Sequence, residues 1–303
     1  MIVEKHARET LCAVELDAGD ELHFTLRDGA TRRLKLLNSR AGVIETNLDT
    51  PRAGHARGRT TLWMSCQLEI DGKPVTIVRE VGTQRSFDAP RELFGMMVWF
   101  DTADALFEHL NDNHGGCRPS KTVRMAVWDA RDRICPVLLH PWCPLPDGGI
   151  DIARDCYDGA DCWCGPYFGA DAHGGLDINH PAGTPIWAPL RFEDHFYFNT
   201  LAAGDNNNRW RGLHTWPDGS TWTLQVHHLI DLKVPEHAPI EAGAHYADGA
   251  GVLTGMYEHS HFVLKVTEPG HENPIALDPW LLFRQMYIDR EITQARMPWD
   301  MPT

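Results

Sequence analysis

The chain has 303 residues, of which 43% are hydrophobic and 23% charged, enough for a folded protein with two cores. Its formal net charge of -14 excludes a general affinity for nucleic acid or for an anionic membrane surface, because both need clustered Lys and Arg. No apolar run approaches the roughly 20 residues that span a bilayer, and no basic segment with an apolar core opens the chain, so neither a membrane span nor a signal peptide is expected.

Residues 11 to 79 read as short strands broken by turns. Leu11 to Leu16 and Glu21 to Leu26 flank Asp17-Ala-Gly-Asp20, and Arg27-Asp-Gly-Ala30 precedes Arg32 to Leu37. Runs at this spacing predict a β-sandwich or barrel. Met64 to Ile70 and Val75 to Val81 should pair through Asp71-Gly72, a dipeptide that favours tight hairpin turns. A helix is predicted next, capped by Asp101 or Thr102, with Ala103, Leu106, Phe107 and Leu110 on one apolar stripe. Strands resume at Thr122 to Trp128 and Ile134 to Leu139.

The Pro- and Gly-rich stretch from Pro141 to Gly149 marks a domain boundary, which gives a β-rich accessory domain over 1–149 and a second domain over 150–303. Asp155 to Cys164 fits no usual calcium or zinc spacing and reads as a polar loop. Among the eight cysteines, Cys135 with Cys143, or two of Cys156, Cys162 and Cys164, are the pairs that an oxidising compartment would join. Arg191 to Arg211 reads as a long loop and a candidate wall of a groove, with Trp187, Trp210, Trp216 and Trp222 as candidate lining. A strand over Thr221 to Leu229 and a second over Asp231 to Val234 follow, and Asp278-Pro-Trp280 begins a helix running through Tyr287.

The chemistry concentrates in two places. His173 and Asp177 are four apart, and in an extended chain an even spacing puts both side chains on one face. His259 and His261, two apart, share a face for the same reason. Imidazole and carboxylate are both zinc ligands, and three such ligands leave a fourth position open. The spacing alone is weak: His-x-x-x-Asp also starts at His214 and His227, and 17 histidines yield roughly one His-x-His by chance.

Context separates the first match from the other two. Around His173 the chain continues as Gly175-Leu-Asp-Ile178 and then Pro181-Ala-Gly-Thr-Pro-Ile-Trp-Ala188; His228-Leu229, Ile240-Glu-Ala-Gly243, Gly251-Val-Leu-Thr-Gly255 and His259-Ser-His-Phe262 follow. In that order, over roughly 165–285, these segments resemble the lysostaphin-type, or LytM-like, family of zinc endopeptidases that cut peptide bridges in peptidoglycan. The resemblance implies an antiparallel β metallopeptidase domain of the duplicated hybrid motif type. It implies one zinc ion held by His173, Asp177 and His261, with His228 and His259 as catalytic imidazoles. It also implies a peptide or peptidoglycan substrate and an extracytoplasmic setting.

Some positions depart from the family pattern. Val226 stands where an aromatic residue is usual, and His227 on a regular strand would face away from His228. The competing expectation is an inactive module on the same fold that scaffolds or activates another wall hydrolase.

Overall fold

A computed structural model describes residues 1–46, 60–82, 86–136, 138–139, 162–167, 171–180, 182–199, 209–249 and 259–289. The chain is mainly β and divides into two compact units. The first joins Met1–Pro136 to Asp158–Gly174, and the second joins Val137–Tyr157 to Gly175–Thr303. The boundary expected at 141–149 lies outside the described residues.

The first unit contains β1 (Ile2–His6), β2 (Cys12–Leu16), β3 (Glu21–Thr25), β4 (Thr31–Thr46), β5 (Thr60–Ile70) and β6 (Lys73–Val81). It continues with β7 (Arg91–Leu93), β8 (Met96–Ala103), β9 (Asn111–His114), β10 (Val123–Asp129), β11 (Pro166–Tyr167) and β12 (Asp171–His173). One sheet runs β1-β3-β4-β5-β6, a second β2-β10-β8-β7, and a small third β11-β12-β9. Period-2 patterning drives the first: in β3, Leu22 and Phe24 are fully buried while Glu21, His23 and Thr25 keep exposure. Asp71 and Gly72 both have positive φ, 48° and 79°, as the primed hairpin turn between β5 and β6 requires.

The helix expected near residue 102 is instead a five-residue 3-10 helix, Asp104–Glu108, with no side-chain cap. Asp101 and Thr102 belong to β8 and are buried. The Asp101 carboxylate accepts the indole N–H groups of Trp99 at 3.1 Å and Trp163 at 3.0 Å, which removes it from any capping role. Leu106 and Phe107 still turn inward, so the apolar stripe was real but belonged to a single tight turn. No strand forms among the described residues of 134–139.

In the second unit, β13 (Leu176–Asn179), β14 (Pro185–Trp187), β15 (Asp194–Asn199), β16 (Arg209–Thr215), β17 (Thr221–His227), β18 (Leu229–Ile230), β19 (His245–Gly249), β20 (His259–Thr267) and β21 (Ile275–Leu277) precede the helix α1 (Trp280–Asp289). The main sheet has the order β13-β20-β17-β16-β15, with β21 pairing β20, and a smaller one has the order β14-β19-β18. Among the described residues, every strand pairing in both is antiparallel.

Trp210 and Tyr246 stack at 4.5 Å in the core, and Phe262 of β20 meets Phe283 of α1 edge-on at 5.1 Å, which fixes the helix against that strand. The side chain of Asp278 accepts the N–H of Trp280 at 2.9 Å and starts α1, as its sequence signal predicts. The stretch read as a long loop is largely a hairpin of β15 and β16; its tip, 200–208, lies outside the described residues. Asp231 to Val234, expected as a strand, forms none. Trp210, Trp216 and Trp222 belong to the core, and Trp187 alone of the four candidate lining residues is half-buried.

Candidate metal centre

Strand pairing builds the centre from distant parts of the sequence. β13 and β20 run antiparallel with Asp177 opposite His261 and Asn179 opposite His259. On its other side β20 pairs β17, and there His261 lies opposite His227. One residue thus links the two ends of the expected constellation.

His173, Asp177 and His261 each place a potential ligand atom within 4.8 Å of the other two. Nδ1 of His261 is 2.7 Å from Oδ1 of Asp177, and Nε2 of His259 is 3.6 Å from Oδ2 of the same carboxylate. His173 and Asp177 are buried, and the His261 side chain is 13% exposed. Two imidazoles and a carboxylate form an open three-ligand set, unlike the closed four-ligand sets of structural zinc. A Cβ added at Gly175 would lie 2.3 Å from both Cε1 and Nε2 of His261, so the absence of a side chain there is what admits the ring. The residues present fit a zinc ion.

His228 and His259 meet edge to face, their ring centroids 4.8 Å apart, and both are buried. All five histidine and aspartate positions expected from the sequence therefore fall into one connected group through Asp177, His261 and His259.

His227 is a correction. Its ring lies 4.4 Å from that of His261 and 5.8 Å from that of His228, where strand alternation had predicted that it would face away. The cause is His228 itself, whose φ of +63° ends β17 and separates it from β18. A left-handed residue interrupts the alternation, so consecutive histidines both reach the centre. Burial, reinforced by His261 and His228, pushes the His227 imidazole far below its usual range.

On the opposite face of β20, Ser260 is fully buried and its hydroxyl lies 2.7 Å from Nε2 of His180. Gly249 makes room for that second imidazole, since a Cβ there would sit 2.3 Å from its Cε1. Sequence reading passed over this pair; the only available signal was His180 three residues beyond Asp177 on the same segment.

Among solved structures, lysostaphin from Staphylococcus simulans matches at 20% identity and a TM-score of 0.30, over 38% of this chain and 45% of that one. The resemblance is to lysostaphin-type peptidases. Less than half of the lysostaphin chain is therefore spanned. A putative M23 peptidase from Pseudomonas aeruginosa matches at 15% identity and a TM-score of 0.29, covering 91% of this chain and 94% of that one. A zinc-containing peptidase from Vibrio cholerae matches at 12% identity and a TM-score of 0.33, covering 82% and 85%. No family model matches the chain, and no curated protein does.

Proposed function

We propose that the chain is a zinc-dependent endopeptidase that hydrolyses peptide bonds, in peptidoglycan cross-links or stem peptides. The observation that supports this reading is the convergence of His173, Asp177 and His261 beside the His228–His259 pair. His173, Asp177 and His261 would hold the metal. Zinc at such a site supplies a Lewis acid for the scissile carbonyl and a water of lowered pKa.

The remaining work falls to the chain. His259 and His228, in mutual contact, accept and return the proton of the attacking water and donate to the oxygen that becomes negative in the tetrahedral state. Asp177 has one oxygen near His261 and the other near His259, so it orients both rings. An extracytoplasmic setting belongs to the same proposal. Among the described residues no helix is long and apolar enough to cross a membrane.

The test is metal analysis of the purified chain, followed by assays on peptidoglycan and on short Gly-rich and D-Ala-containing peptides. One equivalent of zinc with cleavage is the expected result. Zinc without cleavage of any peptide would favour the scaffold reading, and no zinc would remove both the cofactor and the mechanism.

A further inference from the structure

His227 faces His261 on one side and a polar chain from β16 on the other. Arg211 and Gln225 are opposite one another in the β16–β17 register. Nε of Arg211 donates to Oε1 of Gln225 at 3.2 Å, and Nε2 of Gln225 meets Nε2 of His227 at 2.5 Å. These contacts leave one consistent arrangement of protons. A guanidinium has only donors, so it takes the amide oxygen and turns the amide NH2 toward the histidine. That NH2 can only donate, so Nε2 of His227 accepts, and the ring proton of the neutral imidazole resides on Nδ1.

We propose that Arg211 and Gln225 lock His227 as a hydrogen-bond donor of the site, with Nδ1–H donating to an acceptor oxygen of the bound ligand, a peptide carbonyl or carboxylate. Among the described residues Nδ1 has no partner, and the half-buried ring keeps an accessible part. Because His227 lies across from His261 in the β17–β20 register, a ligand at the metal cluster comes within its reach. The identity of the ligand rests on the peptidase reading; the lock on the tautomer does not. In this role His227 contributes a fixed donor to charge that develops on oxygen, at no cost of reorientation when the ligand arrives.

The experiment has two arms, each carried out on the metal-free and the zinc-loaded full-length chain. Long-range 1H–15N correlation of the histidine rings reads the tautomer directly. Nδ1–H is expected for His227 in the wild type. In Gln225→Glu one carboxylate oxygen still accepts from Arg211 and the other can only accept from the ring, so the proton should move to Nε2.

Acetate, which presents two acceptor oxygens, is then titrated and followed on the ring signals of His259 and His261, which wild type and both variants share. His227→Phe, which keeps the ring's shape, and Gln225→Glu should each weaken acetate binding about fivefold to tenfold, the worth of one hydrogen bond. An Nε2–H tautomer in the wild type would overturn the lock. Equal acetate affinity in wild type and His227→Phe would overturn the donor role. If the wild type failed to take up zinc, the peptidase reading would fall, while both arms on the metal-free chain would still judge His227.

Discussion

His261 and Asp177 face each other across the β13–β20 pair, Nδ1 to Oδ1 at 2.7 Å. The two atoms are within direct hydrogen-bond distance, and both side chains belong to the proposed ligand set. His261→Ala and Asp177→Ala should each lose zinc and activity together. His259→Ala should keep a full equivalent of zinc and lose roughly a hundredfold or more in turnover, the scale of a removed acid–base group. Elemental analysis beside a peptide-cleavage assay separates the two classes, and full zinc in His261→Ala would remove that residue from the ligand set.

Gly175→Ala tests the space around the same ring. Its methyl would lie 2.3 Å from Cε1 and Nε2 of His261, and the backbone oxygen of Phe262 lies 2.7 Å away on the neighbouring strand, which limits any retreat. Such overpacking costs about 1–3 kcal/mol. The expected result is a lower denaturation midpoint together with weaker zinc binding in competition with a chromophoric chelator. Unchanged zinc affinity would mean that the ring relaxes without leaving its place.

Acid should weaken the second unit through His195. Its side chain is fully buried, and Nδ1 accepts the indole N–H of Trp210 at 3.0 Å. Burial holds its imidazole below the ordinary value of 6.5. A lowered folded-state value means that the unfolded chain binds more protons. The stability this neutral ring contributes is therefore complete above about 6.5 and is lost as pH falls through 6.5 toward the folded value. Thermal unfolding recorded from pH 7.5 to 5 should show a falling midpoint, with a shallower slope in His195→Phe. A slope identical in the variant would assign the acid sensitivity to other groups.

In the first unit, Asp101→Ala should be among the more damaging single changes. The carboxylate is fully buried, accepts from the indoles of Trp99 and Trp163, and lies 3.7 Å from the guanidinium of Arg124. Removing it strands two indole donors and leaves a buried cation without this counter-charge, although Arg124 keeps Glu15 at 2.9 Å. A loss of about 3–5 kcal/mol is expected from denaturant unfolding. Asp101→Asn, which keeps one acceptor oxygen, should lose less.

The strands of the first unit were legible because alternation and turn chemistry coincide there, as in Leu22 and Phe24 of β3 and in Asp71-Gly72. The grouping of His173 and Asp177 with His261 was legible through its glycine and proline surroundings, which set His173 and Asp177 apart from two other matches of the same spacing. His227 was not, because the inference assumed an unbroken strand and nothing in His227-His228-Leu229 announces a left-handed residue; Gly or Asn would have. The β15–β16 hairpin was missed in favour of its Gly204-Asp-Asn-Asn-Asn208 tip, although Phe196-Tyr-Phe198 is a strand signal in its own right. At Ala103 to Leu110 the helical spacing was present but spanned too few residues to distinguish one 3-10 turn from an α-helix.

His228 occupies a backbone conformation that glycine adopts freely and a branched-free imidazole residue adopts at a cost of order 1 kcal/mol. Selection for thermal tolerance alone, applied to a library at this position, should therefore enrich glycine or asparagine and discard the ring that meets His259. On the proposed role of His228, robustness and turnover pull one codon in opposite directions, so the variants that such a selection favours should be the ones that lose cleavage.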